Sequence, residues 1–368
     1  MKTVAIIGTN GLPAKYGGFE TLTNYLVENF DKTTHNVIVY CSKTPREERL
    51  EFYNGAKLVY FPFKANGWQS MIYDFITIVH ALFKANDLII LGFSGAFAFP
   101  INKIFKRNII FNIGGIEWEK VRGSKFTSKF EIALKKYMEK LCVLNSNTII
   151  IDNQSFNNYV VNRYGKTPVL AEYGGDHAKR INVTTEMLEK YSFLNSEYAL
   201  SVSRAQEDMN IHLLIEAYKE VTEKRIVIIS NWNISEYGQK LFDENADKYD
   251  NIILLKAIYD SKELDTIRSN TSLYIHTHSL CGTAPSLVEA MSLNLPIISY
   301  DVPTNRFTTE NKTLFFKDVS SLIQIIKDLD IEKLLEIKNQ MSEISKRRYM
   351  WKRISGIYQE HLTYNIKQ

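Results

Sequence analysis

The sequence predicts an α/β protein built from two doubly wound, Rossmann-like parallel sheets, and three observations carry that expectation. Short β-branched apolar runs alternate with amphipathic stretches along most of the chain, as repeated βαβ units require. The length, 368 residues, exceeds a comfortable single core. The alternation breaks once, near Tyr173 to Ser196, where YGGD leads into a polar helical segment. The expected division is residues 1–172 and 173–351, the two domains facing each other across a cleft.

In order, VAIIG (4–8) reads as a buried strand. GLPAKYGGFETL (11–22) is then a strand-to-helix loop at the carboxyl end of a strand, where open α/β sheets place ligands. TLTNYLVENF follows as a helix with Leu22, Tyr25, Leu26 and Phe30 on one face. Further strands are expected at NVIVYC (36–41), KLVYFPF (57–63), DLIILG (87–92), NIIFNI (108–113), NTIIID (147–152) and PVLAEY (168–173). The second series is YALSVS (198–203), RIVIIS (225–230), NIILLK (251–256), SLYIHTH (272–278) and PIISYD (296–301). Helices are expected between them, among them IHLLIEAYKEV (211–221) and APSLVEAMSL (284–293).

Composition narrows the function classes. Cys41, Cys142 and Cys281 are far apart, odd in number and at no metal spacing, which favours a reducing compartment over a disulfide framework. Because the chain enters a strand at once, no signal peptide is expected. Its longest apolar run, Leu88 to Ile101, is too short and glycine-broken to span a bilayer. A cytoplasmic protein is expected. The net charge of +4 is uneven: 21 Lys and Arg face 14 Asp and Glu through Glu172, and 24 face 27 beyond. Much of the excess lies in KFTSKFEIALKKYMEK, with Lys125, Lys129, Lys135, Lys136 and Lys140. That helix is either a solvated face or a surface for anionic lipid or a lipid-diphosphate substrate. No recognised motif supports a nucleic-acid partner.

Gly17 and Gly18 stand where a loop turns into a helix. Glycine there permits positive φ and close backbone approach to a ligand, and a helix N-terminus favours an anion; an ordinary turn would use the same pair. GTNGLPAKYGG has no G-x-G-x-x-G register, which disfavours a nicotinamide dehydrogenase. Arg204 follows a strand and can reach phosphate oxygens through its planar fork, or it can form an inter-domain ion pair. Ser286 lies at the start of PSLVEAM, whose free N–H groups suit a diphosphate. Gly282, Thr283 and Ala284 form the loop before it, and Glu289 lies one turn in, within an otherwise apolar run. His276 and His278 share one strand face, but a metal reading lacks an evident third ligand nearby in sequence. No metal or cofactor is therefore expected, and His278 is taken as a hydrogen-bonding residue.

These segments resemble a bacterial branch of the retaining GT-B glycosyltransferases that includes rhamnosyltransferases of capsule and cell-wall polysaccharide synthesis. The likeness covers nearly the whole chain. GLPAKYGGFETL resembles the branch's opening motif, GGIEWEK (114–120) its D-G-L-E-W-K-R segment, and YGGD (173–176) its Y-G-A-D. YALSVSRAQEDMNIHLLIEAY (198–218) resembles the phosphate-binding strand and helix, and GTAPSLVEAM (282–291) the G-T-N-P-S-L-x-E-A-M donor segment. RRYMWKRI (347–354) resembles the R-Y-S-W stretch before a last helix, here about 352–368, that crosses back to the first domain.

The resemblance implies a metal-independent, configuration-retaining transfer from a nucleotide diphosphate sugar to an acceptor hydroxyl. It implies Arg204 as the leaving-group cation and Glu289 as acceptor of a ribose or deoxyribose hydroxyl bond. Gly17, Gly18, Tyr259, His278, Gly282, Thr283, Ala284 and Ser286 complete the expected donor site. Glu117 is expected to orient the acceptor hydroxyl, with Trp118 and Glu20 as acceptor contacts and Glu20 also fixing its loop. The departures from the branch are Gly114 for Asp, Ala284 for Asn, and Met209 and Asn210 in the turn where relatives often carry a phosphate-binding lysine. At Cys281 the wider family often carries a second glutamate, which the branch lacks. They keep two alternatives open: a sugar-nucleotide epimerase of the same fold, and a non-catalytic nucleotide-sugar-binding subunit. The acceptor is expected to be a glycan or a lipid-diphosphate-linked sugar, with peripheral association at the inner face of an anionic membrane. WQSMIYDFITIVHALFK (68–84) would serve that surface, although most of its apolar residues are expected to be core.

Overall fold

The computed structural model describes residues 1–14, 17–116 and 129–363. Two compact units result: Met1–Glu172 with Trp351–Gln368, and Tyr173–Met350.

The first unit contains β1 (Lys2–Ile7), α1 (Gly18–Asn29), β2 (His35–Cys41), β3 (Phe52–Tyr53), β4 (Ala56–Tyr60), α2 (Gln69–Lys84), β5 (Asp87–Leu91), α3 (Asn102–Phe105), β6 (Asn108–Asn112), α4 (Lys129–Leu144), β7 (Thr148–Ile151), α5 (Asn157–Tyr164) and β8 (Val169–Leu170). Its sheet runs β3-β4-β2-β1-β5-β6-β7-β8 and is parallel except for the β3–β4 hairpin. That hairpin was not read from the sequence, although Asn54-Gly55 supplies the two positive-φ residues of a tight turn. KLVYFPF ends as a strand at Tyr60, and PVLAEY shrinks to Val169–Leu170.

The second unit contains α6 (Thr185–Lys190), β9 (Ala199–Val202), α7 (Ile211–Glu220), β10 (Ile226–Ser230), α8 (Glu236–Asn245), β11 (Ile252–Lys256), α9 (Ser261–Ser269), β12 (Leu273–His276), α10 (Pro285–Ser292), β13 (Ile297–Tyr300), α11 (Pro303–Thr308), β14 (Leu314–Phe316), α12 (Val319–Asp328) and α13 (Ile331–Arg348). All its strand pairs are parallel, in the order β11-β10-β9-β12-β13-β14. β14 is three residues long, too short to stand out in the sequence. In both sheets strand order reverses beside the first strand, between β1 and β5 and between β9 and β12. The loops that leave these strands are where such sheets bind ligands.

Both cores are aliphatic strands covered by helices, with Ile7, Ile90 and Phe111 central in one and Ile215, Ile228 and Ile275 in the other. The last helix, α14 (Trp351–Glu360), belongs to the first unit. Trp351 stacks on Tyr25 at 4.7 Å, and the Ser355 hydroxyl donates to the Tyr25 carbonyl. Asn112 donates to the Tyr358 hydroxyl at 2.6 Å. The boundary expected after Trp351 therefore moves one residue earlier, because its indole is part of this packing. Among the described residues no helix is long and apolar enough to cross a membrane.

Candidate functional site

The loop after β1 is braced by Glu20. One Glu20 carboxylate oxygen accepts from the Asn10 backbone N–H at 2.9 Å and from the Asn10 side-chain amide at 2.7 Å. The Asn10 carbonyl in turn accepts from the N–H and the hydroxyl of Ser42. Gly17 sits at φ 123°, and a Cβ there would lie 2.0 Å from the Glu20 carboxylate. The glycine requirement therefore falls on Gly17, because a Cβ on Gly18 would meet nothing within 4 Å. Gly114, the departure from the branch's aspartate, stands at φ 64°, and a Cβ on it would lie 2.6 Å from the Phe19 ring. A larger residue there collides with the ring that follows the glycine pair.

In the second unit, Arg204 lies two residues beyond β9 and is exposed. The next turn is locked to the end of β12: Thr277 donates its hydroxyl to the Met209 carbonyl, and Asn210 donates to the Thr277 carbonyl at 3.0 Å. Ser279 gives both its N–H and its hydroxyl to the Asp208 carbonyl. Met209 is buried in the core and Asn210 takes the left-handed conformation at φ 50°. Both substitutions in this turn thus have packing and backbone reasons.

His276 and His278 follow on the same face, their ring centroids 4.1 Å apart and both rings buried. Burial, with the nearby Arg204 charge second, pushes the His278 imidazole down to about 3. It is neutral near pH 7 and can donate or accept one bond at each nitrogen. Cys281 completes a group that sequence spacing did not suggest: one ligand atom from each of His276, His278 and Cys281 lies within 4.8 Å of the others. Cys281, three residues after His278, thus offers a third potential ligand atom that the sequence reading did not single out.

Gly282, Thr283 and Ala284 are buried and lead into α10, where Pro285 occupies the first turn and Ala284 is the N-cap. Ser286 is half-buried in that turn. Glu289 is buried and bound on both oxygens, by Arg268 at 2.6 Å and by the His177 ring at 3.0 Å. Arg268 also lies 3.6 Å from Asp265, whose other oxygen accepts from the Lys179 N–H at 2.8 Å. Burial works to raise the Glu289 carboxyl, but the Arg268 charge and the His177 bond outweigh it and hold it at about 2. The carboxylate keeps spare lone pairs for a ligand hydroxyl.

Residues 1–176 match the family model described as Domain of unknown function (DUF1972), and residues 184–350 that described as Glycosyl transferases group 1. The second match spans most of the second unit. No curated relative matches the chain by sequence. The chain is similar in structure to sucrose-phosphate synthase from Thermosynechococcus elongatus, 15% identical over 98% of both chains, with a TM-score of 0.80. It is also similar to HepE from Anabaena in complex with UDP and glucose, 12% identical over 98% of both chains, TM-score 0.71. A glycosyltransferase from Rickettsia africae is 12% identical over 98% of this chain and 99% of its own, TM-score 0.73. The fold is GT-B.

Within the second unit, His278, Gly282, Thr283, Ala284 and Ser286 lie on the loop after β12 and the start of α10, with the Arg204 charge near enough to act on His278. Glu289 lies deeper on the same helix. Tyr259 is 65% exposed on the loop between β11 and α9. Glu117 and Trp118 lie outside the described residues. Sequence reading missed Arg268, Asp265 and His177. Arg268 and Asp265 stand three apart on α9, a spacing that signals a helix pair but gives no hint of a carboxylate on another helix.

The segment from Trp68 to Lys84 departs from expectation. Tyr73, Ile78, Ala81 and Leu82 are core, but Trp68, Met71, Ile72, Phe75 and Phe83 are exposed. α2 is apolar nearly all round, so covering one face with the sheet leaves the other in water. Met71, Ile72, Phe75 and Ile76 of this face, with Gly95 and Phe97, line an open groove of about 430 Å³. In the same unit, the charged α4 carries exposed Lys129 and Lys140, and Lys135 pairs with Glu131 at 3.4 Å.

Proposed function

We propose that the protein carries out a metal-independent transfer of a sugar from a nucleotide diphosphate to an acceptor hydroxyl with retention of anomeric configuration. The donor is proposed to be an L-rhamnose or related hexose nucleotide, and the acceptor a glycan or lipid-diphosphate-linked sugar of capsule or cell-wall synthesis. The observation that carries the reading is the juxtaposition at the reversal of strand order in the second unit. Exposed Arg204 stands at the start of the loop after β9, and the N-terminus of α10 ends the loop after the neighbouring β12.

In this reading Arg204 and the α10 amides stabilise charge that develops on the leaving diphosphate. The loop at Gly17 and Gly18 adds backbone donors, held in shape by Glu20, which acts as a positioning residue. Glu289 accepts from a ribose hydroxyl, and neutral His278 bonds the sugar. Attack comes from the face the leaving group departs, and the departing phosphate takes the acceptor's proton. Glu117 orients that acceptor and Trp118 contacts it. The apolar face of α2, with the basic charge of the first unit, supports peripheral association with an anionic membrane in the cytoplasm.

The test is thermal stabilisation by dTDP, UDP, GDP and their sugar conjugates. A ligand at about 100 times its dissociation constant stabilises a fold by about 2.7 kcal/mol. A shift with one nucleotide, lost in Arg204→Ala, is the expected result; no shift with any of them removes the donor-site reading. Conversion of the conjugate without acceptor would mark an epimerase. Binding with no turnover in the presence of acceptor would mark a binding subunit.

A further inference from the structure

Neither ring nitrogen of His276 hydrogen-bonds to any described protein atom, although the residue is 1% exposed. The same holds for His278 Nε2. Buried polar groups are normally satisfied, and two adjacent imidazoles left so are a combination that asks for a shared partner. His278 Nδ1 lies 3.9 Å from the Cys281 sulfur. A tetrahedral zinc ion with imidazole and thiolate ligands places such atoms about 3.4 to 3.6 Å apart, from metal–ligand lengths of about 2.0 to 2.3 Å. The cluster, all within 4.8 Å, needs to contract by no more than about 1.4 Å to reach that arrangement.

The backbone that carries it is already ordered. The Thr277 hydroxyl, the Ser279 N–H and hydroxyl, and the amide of Asn305 on the His278 carbonyl fix the strand end on both sides of the two rings. Cys281 is half-buried, open enough for a cation to reach. Two neutral imidazoles and a thiolate are a borderline-soft donor set. They suit zinc or cobalt and discriminate against magnesium or calcium, which take oxygen ligands.

We propose that His276, His278 and Cys281 form a three-ligand site for a borderline divalent cation such as Zn²⁺, with the fourth position left to water or an exogenous ligand. The site goes beyond the proposed transfer, which uses no metal; it shares His278 with the proposed donor site, and its test reads metal binding alone. Binding releases the Cys281 thiol proton to solvent as the metal–sulfur bond forms.

The full chain, stripped with a chelator, is titrated with Co²⁺ and followed by absorption, then back-titrated with Zn²⁺. One Co²⁺ per chain is expected, with a sulfur-to-cobalt charge-transfer band and tetrahedral visible bands, both bleached by Zn²⁺. Cys281→Ser should abolish the charge-transfer band, and His276→Gln should weaken binding at least about 10-fold, with folding checked by circular dichroism. If His276→Gln fails to fold, His278→Gln serves in its place. Absence of the band, or its persistence in Cys281→Ser, overturns the site. Undiminished affinity in both folded histidine variants does so too. None of these readouts involves nucleotide or transfer.

Discussion

Asp74 in the first unit and Glu289 in the second are both buried carboxyl groups on helices, and their surroundings drive them in opposite directions. Glu289 has Arg268 and His177 on its two oxygens. Asp74 has neither, and one of its oxygens lacks any hydrogen-bond partner among the described residues; burial alone raises it to about 7. The surfaces differ in the same sense. Fourteen large apolar side chains are exposed in the first unit against seven in the second, among the described residues. Charge inside the second unit is compensated and organised around the candidate donor site, whereas the first unit offers apolar surface and an uncompensated acid. The difference teaches that one architecture can hold a compensated buried charge cluster or an exposed apolar face without changing its sheet.

The largest expected effect tests the compensated cluster. Glu289→Ala leaves the Arg268 charge buried, and loss of one partner of a buried pair costs about 3–5 kcal/mol; urea denaturation should show it. A loss below about 1 kcal/mol would mean Arg268 finds a substitute. Next, Arg204→Ala should lower transfer at least about 100-fold, about 2.7 kcal/mol, while stability shifts by no more than about 0.5 kcal/mol because the side chain is exposed. Near-normal turnover would remove Arg204 from the chemistry.

The carboxyl pair separates by pH. Glu289 is depressed, so its contribution is present above 4.5 and lost as pH falls toward about 2. Asp74 is raised, so the folded chain keeps a proton the unfolded chain has lost, and stability falls as pH climbs from 3.8 to about 7. Asp74→Asn should therefore stabilise at about pH 8 and change little at about pH 3, with a slope of up to about 1.4 kcal/mol per pH unit between. A gain that is constant across pH would break the contrast. The smallest effect on stability belongs to the exposed face: Trp68→Ser with Phe75→Ser should move it by only about 0.5 kcal/mol yet abolish binding to anionic vesicles. Vesicle binding unchanged in that variant would leave α2 without a membrane role.

Much of the fold was legible because its strands are continuous β-branched runs, which buried parallel strands must be. Ile226–Ser230 and Asp87–Leu91 came out within a residue or two. The hairpin at Phe52–Tyr53 and the three-residue β14 were not, since segments that short leave no period to read. Loop residues around Gly17 and Gly282 were legible as motifs. The roles of Asn10, His177, Arg268 and Cys281 were not, because their partners are chosen by how loops and helices meet in space.

The sequence by itself determined the two sheets, their division near Tyr173 and the positions of the loops at the carboxyl ends of their strands, because periodicity and glycine chemistry are local. Only the tertiary structure decided that Glu289 is clamped by Arg268 and His177, that Asp74 is left uncompensated, and that one face of α2 stays in water. Burial, charge pairing and exposure depend on which distant segments come together, and no local pattern encodes that.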